Sequence, residues 1–150
     1  MSTVESLHFL FKRDLERLAA EIKAYEKEED LWLLKGEIKN SPGNLALHLV
    51  GNLKHFVGHV IGKSDYQRER ELEFSSRNVP RVEMVSQIAA TKEVVSKTLQ
   101  EMSPELLEKE YPIQVFGVPY TYATMLIHLS GHLNYHLGQI NYHRRLVLNH

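Results

Sequence analysis

Residues 121–148 read TYATMLIHLSGHLNYHLGQINYHRRLVL, and this stretch decides the fold. Thr121 can cap a helix that runs to about Leu148. No Asp, Glu, Lys or Arg occurs between Glu110 and Arg144, so the helix is expected to be central. A membrane span does not fit: Gln114, His128, His132, Asn134, His136, Gln139, Asn141 and His143 are too polar a load for lipid, and Pro119 stands near the start. A buried helix carrying four histidines is the reading that remains.

Working back towards the N-terminus, Ser41-Pro42-Gly43-Asn44 offers a cap and a proline for a first turn, and opens a helix expected over Asn44 to Ile61. Only Lys54 is charged within it, so it too should be central. From Thr3 to Tyr25, Val4, Leu7, Leu10, Phe11, Leu15, Leu18 and Ile22 recur at spacings of three and four, the mark of an amphipathic helix. Val82, Val85, Ile88, Ala89, Val95 and Leu99 mark another, ending near Met102. The polar, charged run from Arg68 to Pro80 reads as a crossover or long loop. Tyr111 to Thr121 reads as an extended excursion turning at Gly117. Four long helices make an all-α four-helix bundle, and 150 residues fit one domain, 1–150.

Composition limits the function. Hydrophobic content of 43%, charged content of 25% and a net charge of -1 are ordinary for a globular chain and give no field favouring nucleic acid. Without cysteine, a transition metal must be held by His, Asp, Glu or backbone. Met1 to Leu10 includes Glu5 and His8 and no basic leader, so a cytoplasmic location is expected.

Residues four apart share a helical face, so His132 and His136 present two imidazoles to one point. The helix expected over Asn44 to Ile61 carries a polar stripe of His48, Asn52, His55 and His59, from which a third ligand can come. His48 is preferred because it lies one turn in, beside the Lys39 to Gly43 loop. His55 and His59 are alternatives that also suit histidines bonded to backbone or water, or exposed at the far end. His128 is expected to be structural or to support His132. His8, His143 and His150 are expected at the surface, and Trp32 and Phe116 are expected to serve packing. Asn52 is a candidate to support the ligands by a hydrogen bond. Glycines seven apart, Gly51 with Gly58 and Gly131 with Gly138, sit at matching offsets from His48 and His128, which suggests close backbone approach on both helices.

Three imidazoles around a divalent ion leave open positions and a net charge of +2, which suits lowering the pKa of bound water or binding an anionic group such as a thiolate. Neither motif includes a carboxylate to act as general base, and Asn52, Tyr135 and Tyr142 are poor bases.

Together, Asn44-Leu45-Ala46-Leu47-His48-Leu49, the late His132-Leu133-Asn134-Tyr135-His136-Leu137-Gly138-Gln139 and Val115 to Tyr122 resemble the DinB/YfiT-like superfamily over nearly the whole chain. The resemblance implies an up-down-down-up bundle with a long crossover between helices two and three, frequent homodimers, and a three-histidine site for zinc, nickel, iron or manganese at His48, His132 and His136. It departs where many members have histidine and arginine flanking the last ligand, since Tyr135 and Leu137 stand there. Characterised members include transferases using low-molecular-weight thiols, so a metal-dependent thiol transferase or hydrolase is expected. The competing expectations are a metal-binding protein without turnover and a plain helical interaction protein.

Overall fold

The computed structural model describes residues 1–148, so His150 lies outside the described residues. Among them there are five α-helices and no strand: α1 (Thr3–Ala24), α2 (Pro42–Leu53), α3 (Arg70–Ser75), α4 (Arg81–Glu101) and α5 (Tyr122–Val147). Single 3₁₀ segments at Glu28–Trp32 and Pro104–Glu108 serve the connections. None of these helices is long and apolar enough to cross a membrane.

Local chemistry sets the helix starts. Ser2 and Glu5 cap α1 reciprocally, each side chain bonded to the other's backbone N–H. Ser41 accepts from Asn44 N and Pro42 fills the first turn of α2, so that helix begins two residues before the expected Asn44. Thr121 caps α5 by accepting from Thr124 N. Leu7, Phe11, Leu15, Leu18 and Ile22 form the buried stripe of α1, which packs on α4 and α5. Almost all of α2 is buried, against α3, α4 and α5. The charged Asp14 is buried within this core, held by Arg13 Nε at 2.9 Å and by Asn134 Nδ2 of α5 at 3.2 Å.

Four expectations need correction. The 68–80 run is not all loop, because α3 lies in it. This helix is held by tertiary contacts: Asn44 Nδ2 donates to the Glu73 and Ser76 carbonyls, both at 2.9 Å. The helix after Leu53 does not continue as α; Lys54–His59 is π-helical, with Val60 N donating to His55 O and Gly62 N to Val57 O. Nor is α5 central on all sides. Ile127, Tyr135 and Tyr142 are 59%, 66% and 73% exposed, so the lack of charge there does not reflect burial. Finally, the glycine pairs are unlike: a Cβ on Gly51 or Gly58 would strike Glu73 or Val94, whereas nothing lies within 4 Å at Gly131 or Gly138.

The excursion before α5 is as expected. Tyr111 N donates to Tyr120 O at 2.8 Å and Tyr122 N to Lys109 O at 2.9 Å, closing a loop that turns at Gly117, where φ is +76°. It leads the chain into α5 opposite α2, which places the histidines of these two helices face to face.

Candidate metal centre

His48, His132 and His136 converge, their ligand atoms all within 4.8 Å of one another. His132 Nε2 is 3.1 Å from His48 Nε2 and 3.2 Å from His136 Nε2. Two nitrogens each about 2.0–2.1 Å from one tetrahedral zinc stand about 3.3 Å apart, so these separations are close to those of a coordination shell.

Hydrogen bonds to the outer nitrogens explain the convergence. Glu73 Oε1 lies 3.0 Å from His48 Nδ1, and an ionised carboxylate can only accept, so that nitrogen carries the proton. Gln139 Oε1 accepts from His136 Nδ1 at 2.7 Å. In the neutral rings, both Nε2 atoms then present lone pairs towards His132 Nε2, which can donate to only one of them. A cation satisfies all three. Carboxylate or carbonyl support of the outer nitrogen is the usual companion of a metal-binding histidine.

The electrostatics agree. Burial lowers His132 to about 4, with the His136 and His48 imidazoles adding to the effect. Burial also lowers His136, against the opposing hydrogen bond to Gln139. Neutral rings are the form that binds metal. His132 Nδ1 and Asn52 Oδ1 are both buried without a hydrogen-bond partner among the described residues. Asn52 makes no described hydrogen bond to any of the three histidines.

Sequence reasoning missed Glu73. Burial would raise its carboxyl, but hydrogen bonds from His48 and Arg68 outweigh this and hold it below the usual range. Arg68 grips it through two contacts, Nε to Oε2 at 2.9 Å and Nη2 to Oε1 at 3.0 Å. Both oxygens are thus engaged, which makes Glu73 a positioning group for His48 and not a free base. The sequence did hold one signal for it, the glycine one turn after His48. A Cβ at Gly51 would fall 1.9 Å from Glu73 Oε2 and 2.6 Å from its Cδ. Because the carboxylate is clamped, it cannot swing aside at little cost. Gly51→Ala is expected to destabilise the metal-free protein by about 1–3 kcal/mol and to weaken metal binding, read by urea denaturation and by competition with a chromophoric chelator.

The remaining histidines are placed elsewhere. His59 is exposed, with Nδ1 bonded to Ser64 O, and His55 is half-buried on the same π-helical segment. His128 is half-buried, its ring centroid 4.6 Å from Phe116 and 6.2 Å from His132, so Phe116 lies against the site's flank. His8 is half-buried. His143 is the clear correction: it is only 4% exposed, its Nδ1 2.8 Å from the Tyr25 hydroxyl and its Nε2 2.8 Å from Leu33 O. These partners lie at the C-terminal end of α1 and in the segment that follows it, so they tie down the end of α5.

No curated protein matches the chain. A family model described as "Protein of unknown function (DUF1572)" matches residues 4–150, nearly the full length, and the chain belongs to that family.

Proposed function

We propose that this is a DinB-like metalloenzyme in which His48, His132 and His136 hold one divalent ion, zinc or nickel, for thiol transfer or hydrolysis. The observation that carries the reading is the convergence of three Nε2 atoms with two of the three outer nitrogens occupied by Glu73 and Gln139. The resemblance further implies the up-down-down-up topology and a low-molecular-weight thiol as partner, and a cytoplasmic location is part of the same proposal. It also implies a homodimer, for which we assign the uncharged outer face of α5 around Ile127, Gly131 and Gly138.

A bound ion would supply Lewis acidity, lowering the pKa of a water or thiol placed on it. The protein's own part is to hold three neutral rings in position and keep charge balanced behind them. Glu73 orients His48, Gln139 orients His136, and Arg68 keeps Glu73 ionised. Asn52 Oδ1, an unpartnered acceptor, suits the unpartnered His132 N–H that metal binding at Nε2 would fix. Glu73 is engaged, and among the described residues the ligand cluster includes no carboxylate; this favours a nucleophile that the metal itself activates, a thiolate or hydroxide.

A metal site without turnover would be favoured by a full set of protein ligands. Among the described residues the cluster comprises three, which leaves coordination positions for substrate. The test is elemental mass spectrometry of tag-free protein dialysed separately against zinc and nickel. About one equivalent per chain is expected, as one three-histidine cluster provides; absence of retained metal would overturn the reading in favour of a helical interaction protein.

A further inference from the structure

Beside the histidine cluster, between α5 and residues 37–45, lies a cavity of about 800 Å³. His136 and its hydrogen-bond partner Gln139 form part of its wall, so the cavity touches one member of the candidate ligand set. Its volume falls within the roughly 300–1,000 Å³ of small-molecule sites. Ile38, Pro42, Leu45, Tyr135, Tyr142 and Leu146 give it a largely apolar lining. Its polar groups are mostly uncharged. His143 is saturated by Tyr25 and Leu33, and Gln139 Oε1 is committed to His136, leaving the Gln139 and Asn40 amides and the Tyr135 and Tyr142 hydroxyls as hydrogen-bonding groups. Glu37 and Lys39, one of each sign and both exposed, add no net charge to the lining.

From this we propose the substrate class: a molecule with an alkyl or aryl body seated along Leu45, Tyr142 and Leu146, and one acceptor head, a carboxylate or equivalent oxygen anion, directed to the ion beside His136. The inference rests on the proposed metal site for the head and on the cavity alone for the body. A dianionic or polyphosphate ligand does not suit a lining whose one ammonium is accompanied by a carboxylate. A small hydrophilic ligand would leave the tyrosine and leucine walls uncovered. The balanced pair and the apolar walls instead suit a single charge on a hydrophobic frame, with the +2 centre of metal and neutral imidazoles as its counter-charge.

The experiment measures binding of straight-chain carboxylates from butyrate to decanoate by calorimetry, with the primary amides as uncharged controls. It uses zinc-loaded and chelator-treated full-length protein of measured metal content, beside Tyr142→Ser and Leu146→Asp. Affinity is expected to rise about fourfold per methylene until the cavity fills, the value for burying one CH₂, in both preparations. The slope should fall in both variants, which lie on the exposed side of α5 and should fold. Preference for carboxylate over amide is expected only with zinc. An affinity that does not depend on chain length, or a slope unchanged in both variants, overturns the assignment of the body. Equal binding of acid and amide by protein holding one zinc overturns the assignment of the head. Failure to retain zinc removes the metal reading and with it the head, while the chain-length series in the same sample still decides the body.

Discussion

His132→Ala is expected to abolish metal retention, because its Nε2 stands between the other two, 3.1 Å from one and 3.2 Å from the other. Loss of a ligand should exceed the roughly 10–100-fold drop that follows loss of a supporting hydrogen bond. The substitution should also change how stability depends on pH. In the metal-free fold, burial and the neighbouring imidazoles keep His132 at about 4, while in the unfolded chain it titrates near its ordinary value of 6.5. Between those values the unfolded chain binds more protons, so stability rises with pH and this contribution is complete above the ordinary histidine range. It is lost as pH falls through the window towards 4. Metal-free protein should therefore show a lower urea midpoint at pH 5 than at pH 7.5, and His132→Ala should reduce that difference. A variant that keeps its metal, or an unchanged pH difference, would contradict the arrangement described.

Glu73→Ala is expected to cost about 3–5 kcal/mol, the range for breaking a buried ion pair by removing one partner. The side chains of Arg68 and Glu73 are only 12% and 7% exposed, so the guanidinium left behind has little access to water. His48 Nδ1 loses its acceptor in the same step, and metal affinity should fall roughly 10–100-fold. Glu73→Gln keeps an oxygen for His48 but removes the charge facing Arg68, so it should retain more affinity than Glu73→Ala while remaining less stable than wild type. Chemical denaturation and chelator competition at low temperature separate the two effects. Equal metal affinity in wild type and Glu73→Ala would show that the carboxylate does not position His48.

The sequence was most informative where one helix carries its own signals. Ser41-Pro42 and Thr121 mark helix starts because a cap needs only local atoms, and the four-residue spacing of His132 and His136 fixes a shared face without reference to the rest of the fold. Pairing them with His48 drew on the position of that residue one turn into its helix and on the family resemblance. Glu73 was hidden because it sits among Arg70, Glu71 and other charged residues in a run that looks solvated. Only docking of α3 against the bare backbone at Gly51 selects this carboxylate from its neighbours. The fate of His143 was equally remote, since its partners Tyr25 and Leu33 are more than a hundred residues away in the chain. The polar stripe of His48, Asn52, His55 and His59 assumed a uniform α-helix. The π-helical segment from Lys54 changes the turn, and the latter two histidines end up apart from the cluster.

Because the carboxylate behind His48 comes from a six-residue helix with few core contacts of its own, ligand occupancy and local opening are thermodynamically linked. Whatever factor the docked α3 adds to the affinity of the ion, the bound ion must add to the population of docked α3. Lifting residues 70–75 off α2 would expose Glu73 and Arg68 together, so this patch is a natural unit of sub-global unfolding. Amide exchange across it would then report metal occupancy from the protein's side, with the crossover acting as a latch whose lifetime depends on the ion it helps to hold.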